Sequence, residues 1–185
     1  MMKRIALLSA VAFAALALTA PVQAQDKMSG EKTVMVGGAP MYPSKNIVEN
    51  AVNSKDHTTL VAAVKAAGLV DTLASKGPFT VFAPTNAAFG KLPKGTVETL
   101  VKPENKATLT KILTYHVVPG KFAAADLTDG KTLTTVEGEQ LTVKLDGKKV
   151  WLIDAKGGKS AVTIADVNQS NGVIHVVDTV LMPAS

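Results

Sequence analysis

The apolar residues of this chain change their spacing part-way along, and that change limits the fold more than any other feature. From Ser44 they recur at helical intervals. Ser44 can cap a turn carrying Ile47, Val48, Ala51 and Val52. Asp56 can cap a second, carrying Leu60, Val61, Val64 and Ala67, with Gly68 placed where a helix ends in a left-handed residue. Leu69, Val70 and Leu73 extend the apolar face to a stop at Gly77-Pro78. A short β-rich run, Phe79–Ala83, ends at Pro84, and turns around Asn86–Lys91 and Thr96–Val101 follow. Pro103 suits the first residue of a helix bearing Leu109, Ile112 and Leu113, because its fixed φ is already helical and its missing N–H would be unpaired there.

After that helix the period falls to two. Thr142–Leu145 and Val150–Ile153 are alternating or β-branched runs joined around Asp146-Gly147, a hairpin signal. Val162–Val167 and Val173–Val177 flank Asn168–Gly172, where Asn171-Gly172 is a second turn cue. Helices first and strands afterwards, without βαβ alternation, predict an α+β domain with a largely antiparallel sheet.

Ahead of this domain, residues 1–24 read as a secretory signal peptide. Lys3 and Arg4 form its positive end, Ile5 to Ala20 carry no charge, and Val22-Gln23-Ala24 offers small residues for cleavage. The apolar run falls short of the ~20 residues needed to span a bilayer. Residues 25–43, with Gly30, Gly37, Gly38, Pro40 and Pro43, read as a flexible arm, and residues 44–185 as the domain. Met28, Met35 and Met41 in the arm could serve as soft Cu(I) ligands, but loose spacing and the lack of histidine among them favour packing.

Composition removes several functional classes. There is no cysteine, which excludes disulfides, thiolate metal sites and cysteine nucleophiles. Arg4 is the sole arginine, so beyond the leader every strong base is lysine and no planar fork can grip phosphate or carboxylate. Loss of the leader leaves 18 lysines against 15 acidic residues, a formal charge of +3. Aromatic residues make up 4% of the chain, too few to stack a run of bases, so no nucleic-acid partner is expected. His57, His116 and His175 lie about 60 residues apart with no paired metal-ligand spacing. They could form a zinc triad only by folding together; the expectation is no metal and no cofactor. Gly157-Gly158-Lys159-Ser160 resembles the end of a phosphate loop, but Ile153 stands where the first glycine is required. Val162 likewise spoils a nucleophile elbow at Ser160. Asn168-Gln169-Ser170 matches a glycosylation sequon, and a hairpin turn explains it equally well. Nothing in the sequence assembles an enzyme.

Four segments together carry a family pattern. They are Thr59-Leu60-Val61-Ala62-Ala63-Val64, Thr80-Val81-Phe82-Ala83-Pro84-Thr85-Asn86-Ala87-Ala88-Phe89, Leu113-Thr114-Tyr115-His116-Val117-Val118-Pro119-Gly120 and Gly172-Val173-Ile174-His175-Val176-Val177-Asp178-Thr179-Val180-Leu181-Met182-Pro183. In order and spacing they resemble the fasciclin domain over about residues 46–183. The resemblance implies a wedge or sandwich of mainly antiparallel strands packed with several helices in the N-terminal half. It also implies an exported, non-enzymatic adhesion or interaction module, in the periplasm or outside the cell, binding a protein or surface polymer. An envelope polysaccharide- or small-ligand-binding protein is the alternative.

Read physically, Phe82, Pro84, Thr85, Asn86, Phe89, Gly172, His175 and Asp178 are structural. Phe82 and Phe89 fill core, Pro84 ends a strand, and Thr85 or Asn86 caps the next turn. His175 is either an exposed neighbour of apolar positions or a satisfied buried group. The family resemblance associates Tyr115 and His116, with Leu113, Val117 and Val118 beside them, with recognition of cell-surface receptors. The competing reading is a buried His116 hydrogen-bonded to Asn86 or a backbone group. There is no Arg-Gly-Asp, and Ala165-Asp166-Val167 only loosely echoes the acidic segment that precedes Gly172 in animal relatives.

Overall fold

The computed structural model describes residues 32–184; the leader and residues 25–31 of the arm, Met28 included, lie outside the described residues. Two short strands open the described chain. β1 (Val34–Val36) and β2 (Ala39–Met41) pair antiparallel across Gly37 and Gly38, whose φ values of 58° and 76° suit glycine. This hairpin replaces part of the expected arm. Val36 and Met41 are buried in the core, which anchors the segment, while Met35 is 57% exposed, so the two methionines do not converge on a metal.

The helical half follows with α1 (Ile47–Ala51), α2 (Thr58–Ala67) and α3 (Val70–Ala74). α1 is capped by Asn46, not Ser44. The Asn46 side chain accepts from the Glu49 N–H at 2.9 Å, and the Glu49 carboxylate accepts from the Asn46 N–H at 2.8 Å. Asp56 does not cap α2 either, because Lys55–His57 form a 3₁₀ turn and the helix starts only at Thr58. Gly68 ends α2 left-handed, at φ 72°. β3 (Phe79–Pro84), α4 (Asn86–Gly90), α5 (Thr96–Leu100) and α6 (Lys106–Tyr115) come next. Pro103 opens a 3₁₀ turn leading into α6 and not the helix itself.

The strands of the second half are β4 (Val117–Pro119), β5 (Thr132–Thr134), β6 (Gln140–Asp146), β7 (Lys149–Ile153), β8 (Lys159–Gln169) and β9 (Gly172–Val177). With β3 they form a seven-stranded sheet in the order β4-β3-β9-β8-β7-β6-β5. Every pairing in it is antiparallel except β3 with β9, which confirms the α+β architecture with mainly antiparallel strands. The two edges approach each other: the Val136 N–H, just past β5, donates to the Val117 carbonyl in β4 at 2.8 Å. One core cluster, with Phe82, Tyr115, Leu141, Val143, Leu152 and Val177, fills the inside of the curled sheet. The other, with Leu60, Val64, Leu113, Val81, Ile174 and Val176, lies between the helices and the sheet.

Asn171, at the β8–β9 turn, ties these layers together. Its amide nitrogen donates to the carbonyls of Leu73 and Ser75 at 2.7 Å, and its oxygen accepts from the Ile47 N–H at 3.0 Å. One buried side chain thus satisfies the start of α1 and the end of α3. Asn171→Ala strands these groups, and the expected loss is about 3 kcal/mol or more of unfolding free energy. Urea unfolding followed by circular dichroism measures it, and an unchanged midpoint would contradict the assignment.

Candidate functional site

The junction of α6 and β4 holds the residues that sequence and resemblance single out. The apolar face of α6 puts Leu109, Ile112 and Leu113 into the helix-side core, and the chain turns into β4 immediately after His116. Tyr115 is wholly buried on the opposite side, inside the curled sheet. Its hydroxyl donates to the Gln140 carbonyl at 3.1 Å and accepts from the Ala155 N–H at 2.9 Å, joining the start of β6 to the β7–β8 turn. Burial, with the charges of Asp154, Glu139 and Glu137 adding to it against the Ala155 contact, pushes the phenol up to about 12.

His116 is also buried. The Leu181 N–H can only donate, so Nε2 accepts from it at 2.9 Å; Nδ1 therefore carries the hydrogen and donates to the Ile112 carbonyl at 2.8 Å. Burial pushes this imidazole down to about 4, against the opposing influence of the Ile112 carbonyl and Asp154. The partners are backbone groups and not Asn86. Leu113, Val117 and Val118 are buried with the pair. The five residues that the resemblance associates with recognition thus lie in the interior and offer no exposed surface in this fold.

The residues read as structural occupy framework positions. Thr85 caps α4 by accepting from the Ala88 N–H. Asn86 instead reaches back to α2, accepting from the Thr59 N–H at 3.0 Å and donating to the Lys55 carbonyl at 2.8 Å, so α2 is capped from another element. His175 is fully buried and satisfied, which settles the choice left open for it. It accepts from the Asp166 N–H at Nδ1 and donates to the Phe122 carbonyl from Nε2 at 2.7 Å, and its ring stacks on Phe82. Asp166 itself sits at φ 57° in an irregular stretch of β8, its carboxylate accepting from the Ala124 N–H, so it braces a loop. At Asp178 burial acts to raise the carboxyl, but the Ala161 amide, the Thr179 hydroxyl and Lys91 hold it below its ordinary value. Gly172 lies so close to the Phe79 backbone that a Cβ would overlap its carbonyl oxygen.

A cavity of about 60 Å³ lies between α1, α2, α3 and the sheet, with walls that include Val36, Ile47, Leu60, Val64, Leu113 and His116. Among the described residues, His57 Nε2 is the one buried side-chain nitrogen or oxygen without a hydrogen bond; the other ring nitrogen, Nδ1, pairs with Ser54 Oγ at 2.8 Å. Burial holds this ring below the usual histidine value, opposed by the Ala83 backbone and Asp56. The three histidines thus have separate partners. Among the described residues no group of three or more His, Asp or Glu stands where it could hold a metal ion. Sequence reading missed the buried amides of Asn50 and Asn171, for which the only signal was Asn171-Gly172 as a turn.

Comparison with known proteins places these features. The Fasciclin domain family model matches residues 55–183. A Synechocystis protein designated sll1483 is 51% identical over 177 residues, covering 94% of this chain and 95% of its own. The immunogenic protein MPB70 of Mycobacterium bovis is 41% identical over 138 residues, which is 72% of this chain and 66% of that protein. Among solved structures, the FAS1 domain pair of the insect cell adhesion molecule Fasciclin I superposes with a TM-score of 0.69 at 18% identity, over 82% of this chain and 58% of that one.

Acid should weaken this junction. His116 titrates near 6.5 when unfolded and near 4 when folded, so the unfolded chain binds more protons between those values. Its contribution is complete above about pH 6.5 and is lost as pH falls toward 4, by about 3 kcal/mol in all. His57 and His175, also lowered, act with the same sign. Urea midpoints should therefore fall steeply across this range, and less steeply in His116→Gln.

Proposed function

The chain belongs to the fasciclin domain family, and on that premise we propose that it is an exported, non-enzymatic interaction domain whose outer surface engages a protein or surface polymer. Domains of this family are associated with cell adhesion and matrix interaction. The supporting observation is where the family's most recognisable side chains go. Phe82, Tyr115, His116 and His175 are buried and Asn86 caps a neighbouring helix, so all of them serve the framework. A partner therefore meets what lies outside that framework. Export rests on the leader read at residues 1–24, and no helix among the described residues is long and apolar enough to cross a membrane.

Two measurements test this. Mass spectrometry of protein from the cell envelope or medium should find a chain starting at Gln25. The purified chain, fixed to beads, should retain envelope material that a heat-unfolded sample does not. His116→Ala should lower the melting midpoint and leave retention per folded molecule unchanged. Loss of retention with melting unaltered would return recognition to the Tyr115-His116 pair, and turnover of a substrate at a defined pocket would overturn the reading.

A further inference from the structure

The outward face of β6, β7 and β8 carries the one tryptophan of the chain among unneutralised lysines, and we propose that it binds an acidic polysaccharide. This rests on the interaction-domain reading and gives it a site and a ligand class. Alternation fixes the face. Leu141, Val143, Leu152 and Ser160 point inward and are buried, which sends Thr142, Lys144, Trp151, Ile153 and Lys159 outward. Register then sets the neighbours. Trp151 lies between Lys144 on β6 and Ala161 on β8, and Ile153 lies between Thr142 and Lys159. The small Ala161 leaves one flank of the indole open, and lysines stand on either side of the Trp151–Ile153 pair. Lys144, Trp151, Ile153 and Lys159, together with Leu145 and Asp146, line an open depression of about 310 Å³.

Charge and shape both narrow the occupant. Among the described residues, Lys144, Lys149 and Lys159 make no ion pair, whereas Lys91 and Lys111 do. Asp146, opposite Lys149 in register, is the single acid lining the depression, so the face is positive and attracts an anion. Lysine supplies compact point charges on flexible stems, which suit carboxylates or sulfates repeated along a polymer better than one oriented group. Between them the half-buried indole and Ile153 present a flat apolar strip that fits the C–H face of a sugar ring. A nucleic acid would want several stacked aromatics, and here there is one. The depression is half rimmed by charge, which is poor for insertion into lipid.

Because Trp151 is the sole tryptophan, its fluorescence reports the site directly. Titration of the full chain with alginate should shift that emission, and neutral dextran should leave it unchanged. Added salt should weaken the interaction, since exposed charges are screened. By calorimetry, Trp151→Ala and the double variant Lys144→Gln/Lys159→Gln should each lose about tenfold in affinity. The exposed lysines carry no core contact, so the double variant should keep its melting midpoint. No emission change with alginate, equal affinity in the folded double variant, or binding only to phosphatidylglycerol vesicles or single-stranded DNA would overturn the proposal. Retention of envelope material on beads, run in parallel, separates the two readings. If wild type and variants all retain it while none binds alginate, this site falls and the interaction domain stands; if none retains it and none binds alginate, both fall.

Discussion

The parallel pairing of Phe79–Pro84 with Gly172–Val177 is the contact on which the rest of the domain depends. It joins the chain's first long strand to its last, so most of the folded sequence is a loop closed by this one ladder. β9 is buried at all six positions and β3 at five of six. Burial on both faces is what a parallel strand requires, and here it makes the pair a partition between two cores. Phe82 and Val177 face the inside of the curled sheet, while Val81, Ala83, Ile174 and Val176 face the helices. Gly172 sets the closeness of approach at one end, where the Phe79 backbone leaves no room for a side chain.

A ladder of this kind does not by itself fix where the helices sit on it. Buried or half-buried polar side chains do that, each bonded to backbone far away in sequence. Asn171 holds α1 and α3, Asn86 holds the start of α2, and His116 holds the C-terminal segment through Leu181. Asn50 adds a further tie, accepting from the Tyr42 N–H and donating to the side chain of Gln169. Such groups carry a desolvation cost that only a well-aimed partner offsets, so they favour one arrangement over its near neighbours. This gives polar residues a structural reason to be prominent in a family pattern.

What was legible in the sequence follows from range. α2 with its terminal Gly68, the β6–β7 hairpin and β3 between Gly77-Pro78 and Pro84 were readable because periodicity and turn chemistry act over a few residues. β4 and β5, three residues each, hold too little pattern to register, and the β1–β2 hairpin contains Pro40, which argues against a strand. Long-range assignments failed where distance decided them. The cap of α2 arrives from Asn86, and the partner of His116 is the Leu181 amide; neither connection is visible along the chain. The outward set around Trp151 was half visible. Alternation separates Lys144 from Val143 and Trp151 from Leu152, but only register shows that the two stand side by side.

The cavity beside His57 and the depression over Trp151 differ in what a partner must do to reach them. The apolar cavity beside His57 lies under α1, its walls shared by Val36 and Met41 of the β1–β2 hairpin and by the helix-side core. A molecule entering it must displace side chains that also stabilise the domain, so any occupancy is set against folding free energy. The depression over Trp151 belongs to no core cluster, and its lysines answer to solvent alone. A ligand there disturbs no buried contact, and the exposed lysines can vary at little cost to the fold. A family that keeps one interior and must meet different partners has more freedom on the second kind of surface than in the first. On the reading proposed above, the outer sheet face has that freedom, whereas the Tyr115-His116 pair is bound into the interior.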